Sequence, residues 1–186
     1  MDARTLLEIL HTVERLKDET RHSYTSGGRH ESVAEHCWRA TLMAYFLRDE
    51  FPEADMDKVM RMCLIHDLGE VFIGDIPSFE KKGSDENNEE NNLFRWVATL
   101  PEPYAGEMRA LYEEMIALES TEARIYKAID NMEAVIQHNE ADLSTWLPLE
   151  YELNVTYAED KVAFSTYMKE LRQVIREETL NKIQNK

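Results

Sequence analysis

The sequence predicts an all-α fold, a single bundle-like domain, and three observations carry that expectation. Apolar residues recur at spacings of three and four in segment after segment. No stretch alternates polar and apolar residues over a convincing strand length, and no internal repeat or linker interrupts the chain. With 186 residues, 43% of them hydrophobic, the chain can bury a continuous core without disulfides or a structural metal.

Residues 5 to 17 place Leu6, Ile9, Leu10, Val13 and Leu16 on one helical face, an amphipathic first helix that acts as scaffold. Residues 18 to 31 read as a loop: Gly27 and Gly28 give it freedom, and Arg21, His22, Arg29 and His30 gather positive charge in an acidic chain. Ser32 and Glu35 have the form of a capping box, opening a helix to about residue 51. Its inward stripe is Val33, His36 or Cys37, Ala40, Ala44 and Leu47. Pro52 stops that helix, and Asp55 or Asp57 caps the next, which carries Val59, Met60 and Cys63 toward His66 and Asp67.

After Asp75, Pro77 and Gly83 suggest an ordered turn, then a mobile, solvated Asn/Glu-rich loop and a helix start, with Lys81 and Lys82 as candidate phosphate contacts. Leu93, Trp96, Val97 and Leu100 form a further helical stripe, and residues 104 to 118 another. Residues 121 to 140 form a long helix burying Ile125, Ile129, Met132 and Ile136. Asp130 lies beside that stripe, where a carboxylate is either paired with a base such as Lys127 or bound to a metal. Residues 142 to 156 read as an irregular crossing, and residues 158 to 183 as a last helix with Phe164, Met168, Leu171 and Ile175 on one side.

A formal charge of −16 argues against a nucleic-acid groove, which needs clustered Lys and Arg. The two cysteines, Cys37 and Cys63, sit in apolar helical contexts and read as reduced core thiols of a cytoplasmic protein. No apolar run approaches membrane-spanning length, so no membrane partner is expected.

The chemistry concentrates in residues 62 to 75, MCLIHDLGEVFIGD. An apolar helical run ends on His66 and Asp67, each continuing the buried face: His66 comes seven residues after Val59, and Asp67 four after Cys63. Burying an imidazole and a carboxylate costs several kcal/mol unless each finds a partner, and a metal ion taking both is one economical answer. Glu70 and Asp75 follow within ten residues, a density of titratable groups typical of active sites. His36 taken alone reads more readily as a hydrogen-bonded core residue than as a ligand. His36, His66, Asp67 and Asp130 together form a mixed nitrogen and oxygen set. That set suits a divalent first-row ion or Mg²⁺ with open positions, rather than a closed structural zinc site.

In order, these residues resemble the HD-domain phosphohydrolases, whose pattern is His, then His-Asp, then a distant Asp. The match is closest to the bacterial 5′-deoxynucleotidases and their eukaryotic HD-domain-containing relatives. RHESVAEH (29 to 36), HDLGEVFIGDIP (66 to 77) and LYEEMIALESTEARIYKAID (111 to 130) carry the resemblance. It implies a single HD-domain helical bundle over residues 1–186, with a core over about 10–140 and a helical extension over about 141–186. It implies one divalent metal per subunit (Mn, Co, Mg, Fe or Zn) on His36, His66, Asp67 and Asp130, with Glu70 as the catalytic carboxylate and Asp75 at the sugar. Arg21 stands as far before His36 as the family's substrate-binding Arg, and Arg29 matches another basic position. His22, however, replaces the Trp that follows that Arg in the bacterial enzymes. The implied activity is release of phosphate from (deoxy)nucleoside 5′-monophosphates by a homodimer. The alternatives are a deoxynucleoside triphosphohydrolase and a non-catalytic metal or nucleotide sensor. The chain has no histidine between Asp67 and Asp130, which speaks against the two-metal phosphodiesterases. Val71 after Glu70 speaks against the tetraphosphate hydrolases.

Overall fold

The computed structural model describes residues 1–185. Helix α1 (Ala3–Val13) starts on Asp2, whose carboxylate accepts from the Arg4 and Thr5 N–H groups, and runs into a 3-10 turn, Glu14–Lys17. Strands β1 (Thr20–Tyr24) and β2 (His30–Ser32) follow. The rest is helical: α2 (Val33–Leu47), α3 (Met56–Ile65), the single turn α4 (Glu70–Ile73), α5 (Gly83–Val97), α6 (Tyr104–Ala117), α7 (Thr121–Glu140), α8 (Glu150–Thr156) and α9 (Thr166–Gln184). Among the described residues no helix is long and apolar enough to cross a membrane.

The helix starts follow local chemistry. Ser32 Oγ accepts from the Glu35 N–H, and the Glu35 carboxylate accepts from the Ser32 N–H at 2.9 Å, so the capping box is closed on both sides. Of the two aspartates before α3, Asp55 is the cap, accepting from Lys58 N–H at 2.9 Å. Helices α2, α3 and α7 pack pairwise and form the centre. Val33, Ala40 and Ala44 of α2, Val59 and Met62 of α3, and Ile125, Ile129 and Met132 of α7 are all fully buried there. Each large aliphatic side chain so buried contributes about 1.5–3 kcal/mol to holding these three helices together. Cys37 and Cys63 are free, buried thiols.

Four segments differ from the sequence reading. The loop at residues 18 to 31 is a short antiparallel hairpin, pairing Thr20 with Ser32 and Tyr24 with His30 around an irregularity. Its strands are too short and polar to show alternation, and tertiary contact holds them: Gln137 Nε2 donates to the Tyr24 carbonyl at 2.6 Å. The Asn/Glu-rich run is helix α5 rather than a mobile loop; Asp85 caps it by accepting from Lys82 N–H at 3.0 Å, and buried Leu93 and Val97 anchor its far end. The irregular crossing contains α8. The last helix begins at Thr166, not near residue 158, because Ala158 takes a φ of +70° and Ser165 supplies the cap. Helix α1 carries no buried residue, so its leucines are not part of the core.

Candidate metal centre and cavity

His36 lies in the first turn of α2, its side chain fully buried. His66 sits at the end of α3, and the Tyr112 hydroxyl donates to the Ile65 carbonyl at 2.6 Å, satisfying one of the helix's terminal acceptors and fixing where the chain turns. Asp67 follows, and Asp130 comes from α7. Farther on, Gly74 has a φ of +83°, and a Cβ there would stand 2.9 Å from Glu19 Oε1; that backbone turn delivers Asp75 to the cavity.

The donor atoms converge. His36 Nε2 is 3.1 Å from His66 Nε2, 3.2 Å from Asp130 Oδ1 and 3.6 Å from Asp67 Oδ2. His66 Nε2 is 3.1 Å from Asp67 Oδ2 and 3.4 Å from Asp130 Oδ1. The opposite ring nitrogens are fixed from behind. His66 Nδ1 is 2.9 Å from the Cys63 carbonyl, which can only accept, and His36 Nδ1 bonds the Glu133 carboxylate. Burial raises the Glu133 carboxyl, but His36, Arg39 and Arg21 outweigh it and keep it ionised, so it too accepts. Both rings therefore carry their hydrogen on Nδ1 and, when neutral, aim Nε2 lone pairs at the same point as two carboxylate oxygens. Nitrogen and oxygen donors gathered in this way suit a cation. Burial and Arg21 push the His36 imidazole down, yet Glu133 and Asp130 lift it to about 9, so the cluster draws positive charge. Two imidazole nitrogens and two carboxylate oxygens, with the rings oriented from outside, fit a divalent ion. Burial pushes the Cys63 thiol up to about 12, which removes it as a competing ligand.

A cavity of about 270 Å³ opens over this cluster, with Arg21, Asp67, Glu70, Asp75, Lys127 and Asp130 in its wall. Burial opposes the Asp67 charge, but His66, His36 and Arg21 hold the carboxyl below its usual range; Lys127 and the two histidines do the same for Asp130. Glu70 goes the other way. Burial first, then the charges of Asp67 and Asp75, push it well above the ordinary glutamate value, and its Oε2 has no hydrogen-bond partner among the described residues. Arg21 reaches both Asp67 (3.3 Å) and Glu31 (3.6 Å).

The structure thus brings together His36, His66, Asp67, Asp130, Glu70, Asp75 and Arg21. Arg29 is not among them: it is exposed, outside the cavity wall, and gives both its terminal nitrogens to Glu35. Lys81 reaches the wall but is held by Glu89 at 2.6 Å, while Lys82 stays outside. Lys127 and the metal reading of Asp130 are not exclusive, since Lys127 takes Oδ2 at 2.8 Å and leaves Oδ1 to the histidines. Sequence reasoning missed Glu133, Arg39 and the α8 residues Glu150 and Asn154. Glu133 was detectable, because it lies four residues after Ile129 and three before Ile136, on the buried stripe where a lone glutamate needs a reason. The α8 pair carried no such periodic signal.

Known proteins resemble this chain in sequence and in fold. Human 5′-deoxynucleotidase HDDC2 is 32% identical over 142 residues, spanning 74% of this chain and 69% of the relative. A protein described as a predicted metal-dependent phosphohydrolase, from Magnetospirillum magnetotacticum, shares the fold with a TM-score of 0.80 at 24% identity, over 96% of this chain and 93% of its own. A conserved hypothetical protein from Pyrococcus furiosus gives 0.73 at 27% identity, over 92% and 99%. The family model described as the HD domain matches residues 13–172, a span that contains every donor atom of the cluster, and the chain belongs to the HD domain family.

Proposed function

We propose that this chain is a divalent-metal-dependent phosphohydrolase, a 5′-nucleotidase that releases phosphate from deoxynucleoside 5′-monophosphates. The observation that carries the reading is the convergence of four ligand atoms beneath a cavity whose wall holds a buried, partnerless carboxyl oxygen on Glu70. The similarity to human 5′-deoxynucleotidase HDDC2 supports the substrate class.

His36, His66, Asp67 and Asp130 would hold a divalent ion, which when bound would supply Lewis acidity to a phosphate and acidify water. Arg21 offers its free N–H groups to the phosphate oxygens, a charge-assisted contact that offsets the chain's negative field. Glu70, whose carboxyl is pushed above its ordinary range by burial and then by Asp67 and Asp75, donates a proton to the leaving 5′-oxygen as hydroxide derived from water replaces it on phosphorus, so the nucleoside departs as an alcohol rather than an alkoxide. Asp75 accepts from the sugar 3′-hydroxyl and crowds a 2′-hydroxyl, favouring deoxy substrates. The monophosphate is favoured over longer phosphate chains because Lys81 is already neutralised by Glu89 and Glu86 adds a further carboxylate to the same wall.

The reading includes one metal per subunit, action in the reducing cytoplasm, where Cys37 and Cys63 stay thiols, and a homodimer. The dimer is supported by the exposed apolar side chains of α2, among them Trp38 and Phe46, which are 62% and 75% accessible. Light scattering that finds only a 21.8 kDa species counts against it. The activity is tested by chelating the protein, restoring Mn²⁺, Co²⁺, Mg²⁺, Fe²⁺ or Zn²⁺, and measuring phosphate release from ribo- and deoxynucleoside mono-, di- and triphosphates. Metal-dependent turnover of the deoxymonophosphates is expected. Turnover confined to triphosphates, or none at all, overturns the reading.

A further inference from the structure

The cavity continues past the phosphate chemistry to a second set of side chains that the hydrolysis does not use: His22, Phe79, His138, Glu150, Asn154 and Tyr157. Asn154 is 3% exposed, lines the cavity, and its Nδ2 has no hydrogen-bond partner among the described residues. A buried donor left in that state is destabilising, so a partner is expected from outside the chain. Glu150, also buried, spends Oε2 on the Leu147 N–H at 2.7 Å. Its Oε1 lies 3.0 Å from His22 Nε2 and 3.4 Å from His138 Nε2, but neither approach has the alignment of a hydrogen bond. One amide donor and one carboxylate acceptor therefore face the same space. Beside them the His22 and Phe79 rings meet edge to face at 5.7 Å and form an aromatic wall.

The pair is built rigidly. Arg172 of α9 donates to the Tyr157 carbonyl at 2.7 Å and to the Asn154 and Val155 carbonyls at 3.0 Å each, clamping the end of α8. The Trp146 indole donates to the His138 carbonyl at 2.9 Å, securing α7 beside it.

We infer that Asn154 and Glu150 read the hydrogen-bonding edge of the nucleobase and are specificity-determining residues, with Asn154 donating to a ring or carbonyl acceptor and Glu150 accepting from an N–H. A flat heteroaromatic ring with a donor beside an acceptor satisfies both groups and lies against the aromatic wall; a bare sugar phosphate satisfies neither. The inference rests on the nucleotidase reading and adds that the base, not only the phosphate and sugar, is recognised. Sites built to bond a polar group discriminate strongly against substrates that lack it, because their own buried groups are left unpaired.

The test uses the metal-loaded protein with the four deoxynucleoside monophosphates and with 2-deoxyribose 5-phosphate. Wild-type kcat/KM should favour the nucleotides by about 100-fold or more over the abasic sugar phosphate. In Asn154→Ala that ratio should fall about tenfold, through KM more than kcat. A wild-type ratio near one overturns the inference while leaving the nucleotidase reading intact, and needs no variant. An unchanged ratio in an Asn154→Ala protein that melts cooperatively and binds metal overturns it as well. Absence of turnover on every substrate removes both.

Discussion

Glu70 is a carboxyl group in a place where a carboxylate is costly, between Asp67 and Asp75 and almost out of water. Its folded pKa lies above the ordinary 4.5, so the folded protein binds that proton more tightly than the unfolded chain does. Stability is therefore lost as pH rises from about 4.5 through the raised folded value. Glu70→Gln should raise the Tm of the metal-free protein at about pH 8 and leave it unchanged near pH 4, which calorimetry reads directly. The same substitution removes the proton donor. Turnover should fall by about two to four orders of magnitude with metal content intact, and the loss of wild-type rate at high pH should have no counterpart in the variant. A variant keeping half of wild-type turnover ends the catalytic assignment. The residue scale is also where the sequence spoke most clearly. His66 and Asp67 interrupt an apolar helix end, and such a break needs a chemical reason whatever the tertiary structure. Arg29 shows the opposite: its charge was visible, but not which carboxylate would take it.

Helix α2 begins where Ser32 and Glu35 close on each other, and Arg29 bonds Glu35 from outside, so the arginine tightens the cap one turn before His36. Hydrogen bonds from Arg29 first, then Ser32, lower the Glu35 carboxyl to about 2 from 4.5. A depressed folded pKa means that the stabilisation is present above 4.5 and disappears as pH falls toward 2. The pair is substantially exposed, which keeps its contribution small. Arg29→Ala should therefore lower Tm slightly at neutral pH, by an amount that shrinks in acid, and keep turnover within about twofold of wild type. A loss of turnover beyond tenfold would return Arg29 to the substrate. Ser32→Ala should cost more, about 1 kcal/mol in a denaturant titration, because it leaves the Glu35 N–H without its acceptor. Elements of this kind were legible because caps and stripes are local. The hairpin, α5 and α8 were not: β1 is held by a glutamine of α7, the buried apolar residues of α5, Leu93 and Val97, come only at its far end, and α8 has seven residues, too few to show a period. The cavity's α8 wall went unread for that reason, while α2, α3 and α7, each with a clear stripe, announced the candidate donors they carry.

At the scale of the whole molecule, the three central helices meet at a cluster of facing polar groups. The His36 ring of α2 and the His66 ring of α3 stand 3.1 to 3.6 Å from the carboxylates of Asp67 and Asp130, and in the metal-free protein both imidazoles are raised above their ordinary range, so they hold protons against those carboxylates. A divalent cation binding only the folded arrangement displaces those protons and adds its own stabilisation. At a free concentration about 100 times its dissociation constant it stabilises the fold by about 2.7 kcal/mol, independently of any catalysis. For a chain of this size that corresponds to a rise in Tm of about 5–10 °C. Chelation should lower the Tm of the wild type by that amount, and restoring the ion should recover it. Asp67→Ala separates this from a nonspecific salt effect. It removes one ligand, so the variant should bind no stoichiometric metal and show no metal-dependent shift. Its metal-free Tm at neutral pH should fall below that of the chelated wild type, since His66, His36 and Arg21 lose the carboxylate whose charge they favour in the folded state. A variant that keeps the full metal-dependent shift would place the cation elsewhere, and a metal-free Tm equal to that of the chelated wild type would mean that those contacts contribute nothing to the fold.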